Sequence, residues 1–220
     1  MLTDLIIYID NSIIVINKPS GLRTIPDGYD KNKENLQSLL KTEFPELMTV
    51  HRLDKETSGV ILFARNKESH RNLNTQFEKR LIQKNYWAIT HNIPEWDHYT
   101  ARLPLLVNGD RQHRTIIKQS GKSAETHFIK HKFDRKKCLS FLEAIPYTGY
   151  THQIRSHLSF LGLSILGDQL YTKDLTKSQR ELNFSVDRMM LHASSIEFLH
   201  PETNQKILIN TDAPFSIGNL

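Results

Sequence analysis

A chain of 220 residues, 38% hydrophobic and 24% charged, holds enough apolar residues for a substantial core and no low-complexity tract, which excludes a disordered polypeptide. Its 29 Lys and Arg against 24 Asp and Glu leave a net charge of +5, which suits a polyanionic partner without demanding one; a mildly basic soluble protein fits equally. The single cysteine, Cys138, excludes an intramolecular disulfide and any multi-cysteine metal site, and no apolar run reaches the ~20 residues of a membrane-spanning helix, so the expectation is a cytoplasmic protein with no membrane partner.

In chain order, MLTDLIIYID is apolar but lacks a basic leader and carries Asp4 and Asp10, which makes it a strand rather than a signal peptide. Asp10-Asn11-Ser12 separates it from IIVIN, a turn between β-branched runs and hence a hairpin, which Lys18-Pro19-Ser20-Gly21 ends. Residues 34–41, ENLQSLLK, space Leu36, Leu39 and Leu40 as a helix does. HRLDKETSG at 51–59 then sets Asp54 and Glu56 among the cations His51, Arg52 and Lys55, directly before the apolar strand VILFA. From Asn66 to Ile82, Leu73, Phe77 and Leu81 recur every four residues with Lys67, Arg71, Lys79 and Arg80 on other faces, an amphipathic helix capped by Asn66; NYWAIT resumes strand.

Residues 110–137 carry nine Lys or Arg against three acids, a local +6 that exceeds the whole-chain excess. Three histidines and Phe128 are interleaved, as on a surface that tracks phosphates, although a solvated hairpin has the same composition. Cys138 reads as a buried thiol at the start of a strand. SFLEAI, RMMLHASSIEFLH and KILINT read as strands, with PETNQ a turn between the last two. Strands outnumber helices, so the expected class is α+β, a largely antiparallel or mixed sheet with a few flanking helices.

Between those strands lies YTGYTHQIRSHLSFLG, residues 147–162. Thr151 is placed to cap a helix that turns Ile154, Leu158 and Leu161 to the core and stops at Gly162, leaving His152, Arg155 and Ser159 on the opposite, solvent face. His152 and His157 are five apart with no acid between them, unlike a zinc-protease pair, so no metal is expected. There is no glycine-rich phosphate loop for a nucleotide cofactor and no nucleophile elbow at Ser58-Gly59. His192, alternating with apolar neighbours, reads as a core histidine, and Tyr86 by itself as ordinary strand packing.

HRLDKETSG, KNYWA, GKSAETHF, TGYTHQIRSHLSFLG with LGDQLY, and LHASSIEFLHP stand in the order seen in RluA-type pseudouridine synthases, which the chain resembles from about Val15 to Pro214. The resemblance implies the pseudouridine synthase catalytic fold over residues 1–220 as one domain; the family's common N-terminal RNA-binding module is expected to be absent, because strand-like sequence begins within five residues of the start. The resemblance also implies an enzyme that isomerises uridine in structured ribosomal or transfer RNA as a monomer, with no cofactor. Asp54 is then the catalytic carboxylate, attacking the ribose or helping break the glycosidic bond; Tyr86 packs on the uracil and helps remove the proton from C5; Arg155 pairs with Asp54. Arg52 holds the RNA once the uridine has left the stack, and His51, Thr57, His152 and Gln153 join it as RNA-binding residues. A carboxylate with that task must be ionised, and cations crowded around it favour its charge. Tyr150 stands where the family usually has arginine and Thr172 where it has glycine. Two rivals stay open: a non-catalytic RNA-binding protein of this fold, and a hydrolase that uses Asp54 to release uracil or cleave RNA.

Overall fold

In the computed structural model, which describes residues 2–26, 33–173 and 175–219, the elements in chain order are β1 (Ile6–Ile9), β2 (Ile13–Lys18), α1 (Leu36–Lys41), β3 (Met48–Thr49), β4 (Ser58–Ala64), α2 (Lys67–Glu78), β5 (Gln83–His91), β6 (His98–Arg102), β7 (Leu105–Leu106), β8 (Ile116–Ile117), β9 (Glu125–Asp134), β10 (Leu139–Pro146), α3 (Gln153–Phe160), α4 (Lys177–Phe184), β11 (Leu191–Leu199) and β12 (Lys206–Asn210). The class is α+β, and the registers observed are antiparallel. The chain divides into two compact units, Met1–Lys84 with Ala193–Asp212, and Asn85–His192 with Ala213–Leu220.

In the first unit the strand order is β1-β2-β4-β11, with β12 on β11 and β3 on β4. The β1–β2 hairpin forms because Asp10 Oδ1 accepts the amides of Ser12 and Ile13, both at 2.8 Å, closing the turn the sequence marks. Unbroken β-branched and apolar runs suit strands covered on both faces, and all of β4 is buried. Val15, Val60, Leu62, Leu73, Ile196 and Phe198 share one core. Asn66 caps α2 by accepting the Ser69 amide at 2.8 Å. The helix stops at Glu78, four residues short of the expected end. Arg80 takes a left-handed φ of 56° and the Leu81 amide returns to the Gln76 carbonyl, so Leu81 lies beyond the helix, exposed rather than in the core.

Gly59 opens β4 with φ 109°, and a Cβ there would stand 2.2 Å from the Ala193 carbonyl oxygen of β11. Gly59→Ala is therefore expected to cost roughly 2–5 kcal/mol, combining left-handed strain with a backbone clash. Gly21→Ala, at φ 86° with open space around the added methyl, bears only the strain. Denaturant midpoints of the two variants check this; equal losses would remove the close approach as the cause.

In the second unit the order is β5-β10-β9-β6, with β7 and β8 a separate ribbon. Phe128, Leu142, Ala144, Ile154, Leu158 and Leu166 are among its core. α3 presents Ile154 and Leu158 inward and ends at Leu161-Gly162 as expected, but Thr151 does not cap it. The N-cap is His152 in a left-handed conformation, with no side-chain capping bond, while the Thr151 carbonyl accepts Thr115 Oγ1–H at 2.7 Å. Cys138 is exposed, not buried: it completes the β9–β10 turn at φ 54°, and the inward strand begins only at Leu139.

Candidate active site

The Asp54 loop is fixed by the segment that follows β2. Lys18, fully buried at the end of an apolar strand, donates from Nζ to the carbonyls of Pro19 and Leu22 at 2.8 Å and of Lys55 at 3.1 Å. A buried ammonium is tolerated only with such partners. Gly21 N–H also donates to Lys55 O at 2.9 Å, and Ser20 Oγ donates to Glu56 O at 2.7 Å. Upstream, Thr24 Oγ1 grips the Leu53 residue twice, donating to its carbonyl at 2.9 Å and accepting its amide at 3.1 Å. The Thr57 amide closes the turn onto Asp54 O at 3.2 Å. The backbone on both sides of Asp54 is thus held, and its side chain is half-buried.

The charges around Asp54 separate in space. Lys55 and Glu56 pair with each other at 3.1 Å near the surface, and Arg52 is exposed. His51 is not a cation. Its Nε2 accepts the Leu62 amide at 3.0 Å and its ring packs on Phe77; burial, and then the Lys84 charge, push its pKa down to about 3. Thr57 is buried where the loop enters β4.

In the second unit, Arg155 departs from the sequence reading: it does not face solvent. Its side chain is 7% exposed and forms a fork with Asp168, Nε to Oδ2 at 2.7 Å and Nη2 to Oδ1 at 2.9 Å. The guanidinium also lies 5.1 Å from the Tyr171 ring centroid. Asp168 Oδ1 further accepts the amides of Leu170 and Tyr171. Behind it, Asn183 of α4 accepts the Gly167 amide at 2.6 Å and donates to Asp168 O at 3.1 Å, so the turn that carries the carboxylate is itself clamped. Burial lowers the pKa of His91, whose Nε2 lies 3.2 Å from Asn183 Oδ1.

Gln153 is buried and spends both ends of its amide on its own unit. Oε1 accepts Thr148 Oγ1–H at 2.7 Å and Tyr150 N–H at 3.2 Å; Nε2 donates to Glu125 O at 3.0 Å and Thr126 Oγ1 at 2.9 Å. It ties the TGYTHQIR loop to the start of β9. His152 is half-buried, edge-on to Tyr171 with ring centroids 5.9 Å apart. Tyr86, on β5 opposite Ala144 of β10, packs half-buried against the unit's core.

The basic stretch divides. Arg114 pairs with Asp110 at 2.7 Å and Lys130 with Asp97 at 3.1 Å, while Arg111, Lys118, Lys122, Lys132, Arg135, Lys136 and Lys137 are exposed. The first three of these precede β9; the other four lie at its far end. Among the described residues, no group of three His, Cys, Asp or Glu is placed to hold a metal ion, and no helix is long and apolar enough to cross a membrane.

A family model described as RNA pseudouridylate synthase matches residues 12–160. The chain is 34% identical to the dual-specificity RNA pseudouridine synthase RluA of Vibrio vulnificus, over 90% of this chain and 79% of that protein. It is 32% identical to the protein of the same name from Escherichia coli, over 96% and 93%. The chain belongs to the RluA-type pseudouridine synthases. Membership makes it an isomerase that acts on RNA. This synthase is also 36% identical to the ribosomal large subunit pseudouridine synthase C of Buchnera aphidicola, over 94% of its own length and 66% of that protein. The fold agrees with the structure of human RNA Pseudouridylate Synthase Domain Containing 1, at TM-score 0.79 and 27% identity over 97% of this chain and 84% of that one. What sequence reasoning missed in the synthase is its supporting cast: Lys18, Thr24, Asp168 and Asn183. Asp168 lies within LGDQLY, and the signal for it is an acid beside glycine shortly after an arginine-bearing helix.

Proposed function

We propose that this chain converts uridine to pseudouridine in ribosomal or transfer RNA, acting in the cytoplasm as one catalytic domain over residues 1–220, a monomer without cofactor. The observation that carries the reading is the Asp54 loop, a family-type motif whose backbone is pinned on both sides of one half-buried carboxylate. The relatives named for ribosomal large-subunit and dual-specificity activity support the RNA class.

The target base must leave its stack, because the glycosidic carbon cannot be reached within folded RNA. Asp54 attacks the ribose or assists departure of the base, and the C1′–N1 bond breaks. The uracil turns, C1′–C5 forms as any bond from Asp54 to C1′ breaks, Tyr86 helps remove the C5 proton, and N1 gains one. Tyr86 replaces lost stacking on the ring, and Arg155 supplies the cation that pairs with Asp54, its guanidinium oriented by Asp168. Arg52, exposed, and His152 contact the RNA, while His51, Thr57 and Gln153 serve that contact by shaping the two loops.

RNA carrying 5-tritiated uridine tests the reaction: tritium is expected in the solvent with RNA mass otherwise unchanged, since isomerisation neither adds nor removes atoms. Release of free uracil or shortened RNA would favour the hydrolase, and binding without turnover the non-catalytic protein. Because the leaving group is an amide-like nitrogen that needs no Lewis acid, turnover on prefolded RNA is expected to persist in EDTA. Loss that magnesium or zinc restores, with the RNA still folded, would overturn the metal-free chemistry.

A further inference from the structure

The β9–β10 hairpin carries a feature the proposed chemistry does not use. Its base, where Pro146 pairs with Thr126, adjoins the loop into α3: the Tyr147 amide and Gln153 Nε2 both donate to Glu125 O. Its tip, where Leu139 pairs with Asp134, lies at the other end of a ten-residue strand. At the usual rise per strand residue that is roughly 30 Å away.

Residues 130–137 of this tip hold five cations against one acid. Among them Phe133 is 46% exposed, with Lys130 Nζ 5.8 Å and Arg135 Cζ 5.6 Å from its ring centroid. The turn is preformed: Asp134 Oδ1 accepts the amides of Lys137 at 3.1 Å and Lys136 at 2.8 Å, bonds that hold its carboxyl below the usual carboxylate range. A solvated charged face has no use for a half-exposed phenyl ring, and a hydrophobic core contact would bury it. A ring framed by cations on a rigid spur matches a nucleic-acid strand, which offers a π-face and phosphates together.

We propose that the β9–β10 tip is a second RNA-docking element, with Phe133 stacking on an unpaired base and Lys132, Arg135, Lys136 and Lys137 meeting phosphates. The preferred substrate is then an RNA whose folded structure extends roughly 30 Å beyond the α3 end of the hairpin, rather than an isolated short stem-loop. This rests on the RNA class assigned above.

The test uses the full chain, Phe133→Ala, Phe133→Trp and Lys136→Ala/Lys137→Ala, a long ribosomal RNA transcript and a short stem-loop cut from it. Phe133→Ala is expected to weaken binding of the long RNA about tenfold, the scale of one lost base stack, with its salt dependence unchanged, and Phe133→Trp to restore it. The double alanine variant should lower the slope of log affinity against log salt by up to ~2. Turnover at saturating RNA and binding of the stem-loop should hold in every variant. Wild-type affinity and slope for the long RNA in all variants would overturn the proposal, as would Phe133-dependent binding to phosphatidylserine vesicles with RNA binding untouched, which would assign the tip to a membrane. Absence of pseudouridine formation by the wild-type protein would strike the catalytic reading alone, because docking is read by binding.

Discussion

Asp54→Asn is expected to reduce pseudouridine formation by several orders of magnitude while leaving the fold and RNA affinity largely intact. The substitution keeps size and hydrogen-bonding groups and removes the charge on which the proposed role of Asp54 depends. Lys18, Ser20, Gly21 and Thr24 hold the loop's backbone, and those bonds remain in the variant. Paired measurements decide the matter: thermal melting and RNA affinity on one side, tritium release from 5-tritiated uridine on the other. A folded, RNA-binding variant that still releases tritium at near the wild-type rate would end the role given to Asp54.

Asp168→Ala is expected to destabilise the second unit strongly. It leaves the Arg155 guanidinium, 7% exposed, without the fork that compensates its burial. Breaking a buried pair from one side costs about 3–5 kcal/mol, whereas replacing both partners with apolar residues costs far less. Urea unfolding of Asp168→Ala, Arg155→Met and the double variant measures the coupling. If the pair acts as described, the double variant is more stable than Asp168→Ala alone yet as inactive as Arg155→Met. A loss below about 1 kcal/mol, the scale of an exposed pair, would mean that water or another partner compensates the guanidinium without Asp168.

Local chemistry made much of this molecule legible. The Asp10 turn, the Asn66 cap and the buried run at β4 each depend on residues within a few positions of one another, and each appears where the sequence puts it. The two motif loops were found as clusters of unusual composition. What could not be read was partnership at a distance. Helical spacing reports that Arg155 and Leu158 lie on different faces, not that Asp168 waits to receive the arginine. His51 looks cationic beside Arg52 and Lys55, but burial and the Lys84 charge push its pKa down to about 3, and its Nε2 accepts the Leu62 amide. Charge counting joined residues 110–137 into one surface; the length of β9 sets its exposed cations apart.

Lys18 and the hairpin lysines show two meanings of a basic residue. On the β9–β10 tip, Lys132 and Lys136 are exposed side chains, so arginine can replace them there at little cost. At position 18 three ammonium protons meet three carbonyl oxygens arrayed around a single atom. A planar guanidinium, with donors spread along a fork, cannot converge on that array. The most ordinary exchange of one cation for another is therefore closed at position 18, and the freedom of the Asp54 loop to vary is limited by a residue outside its own motif.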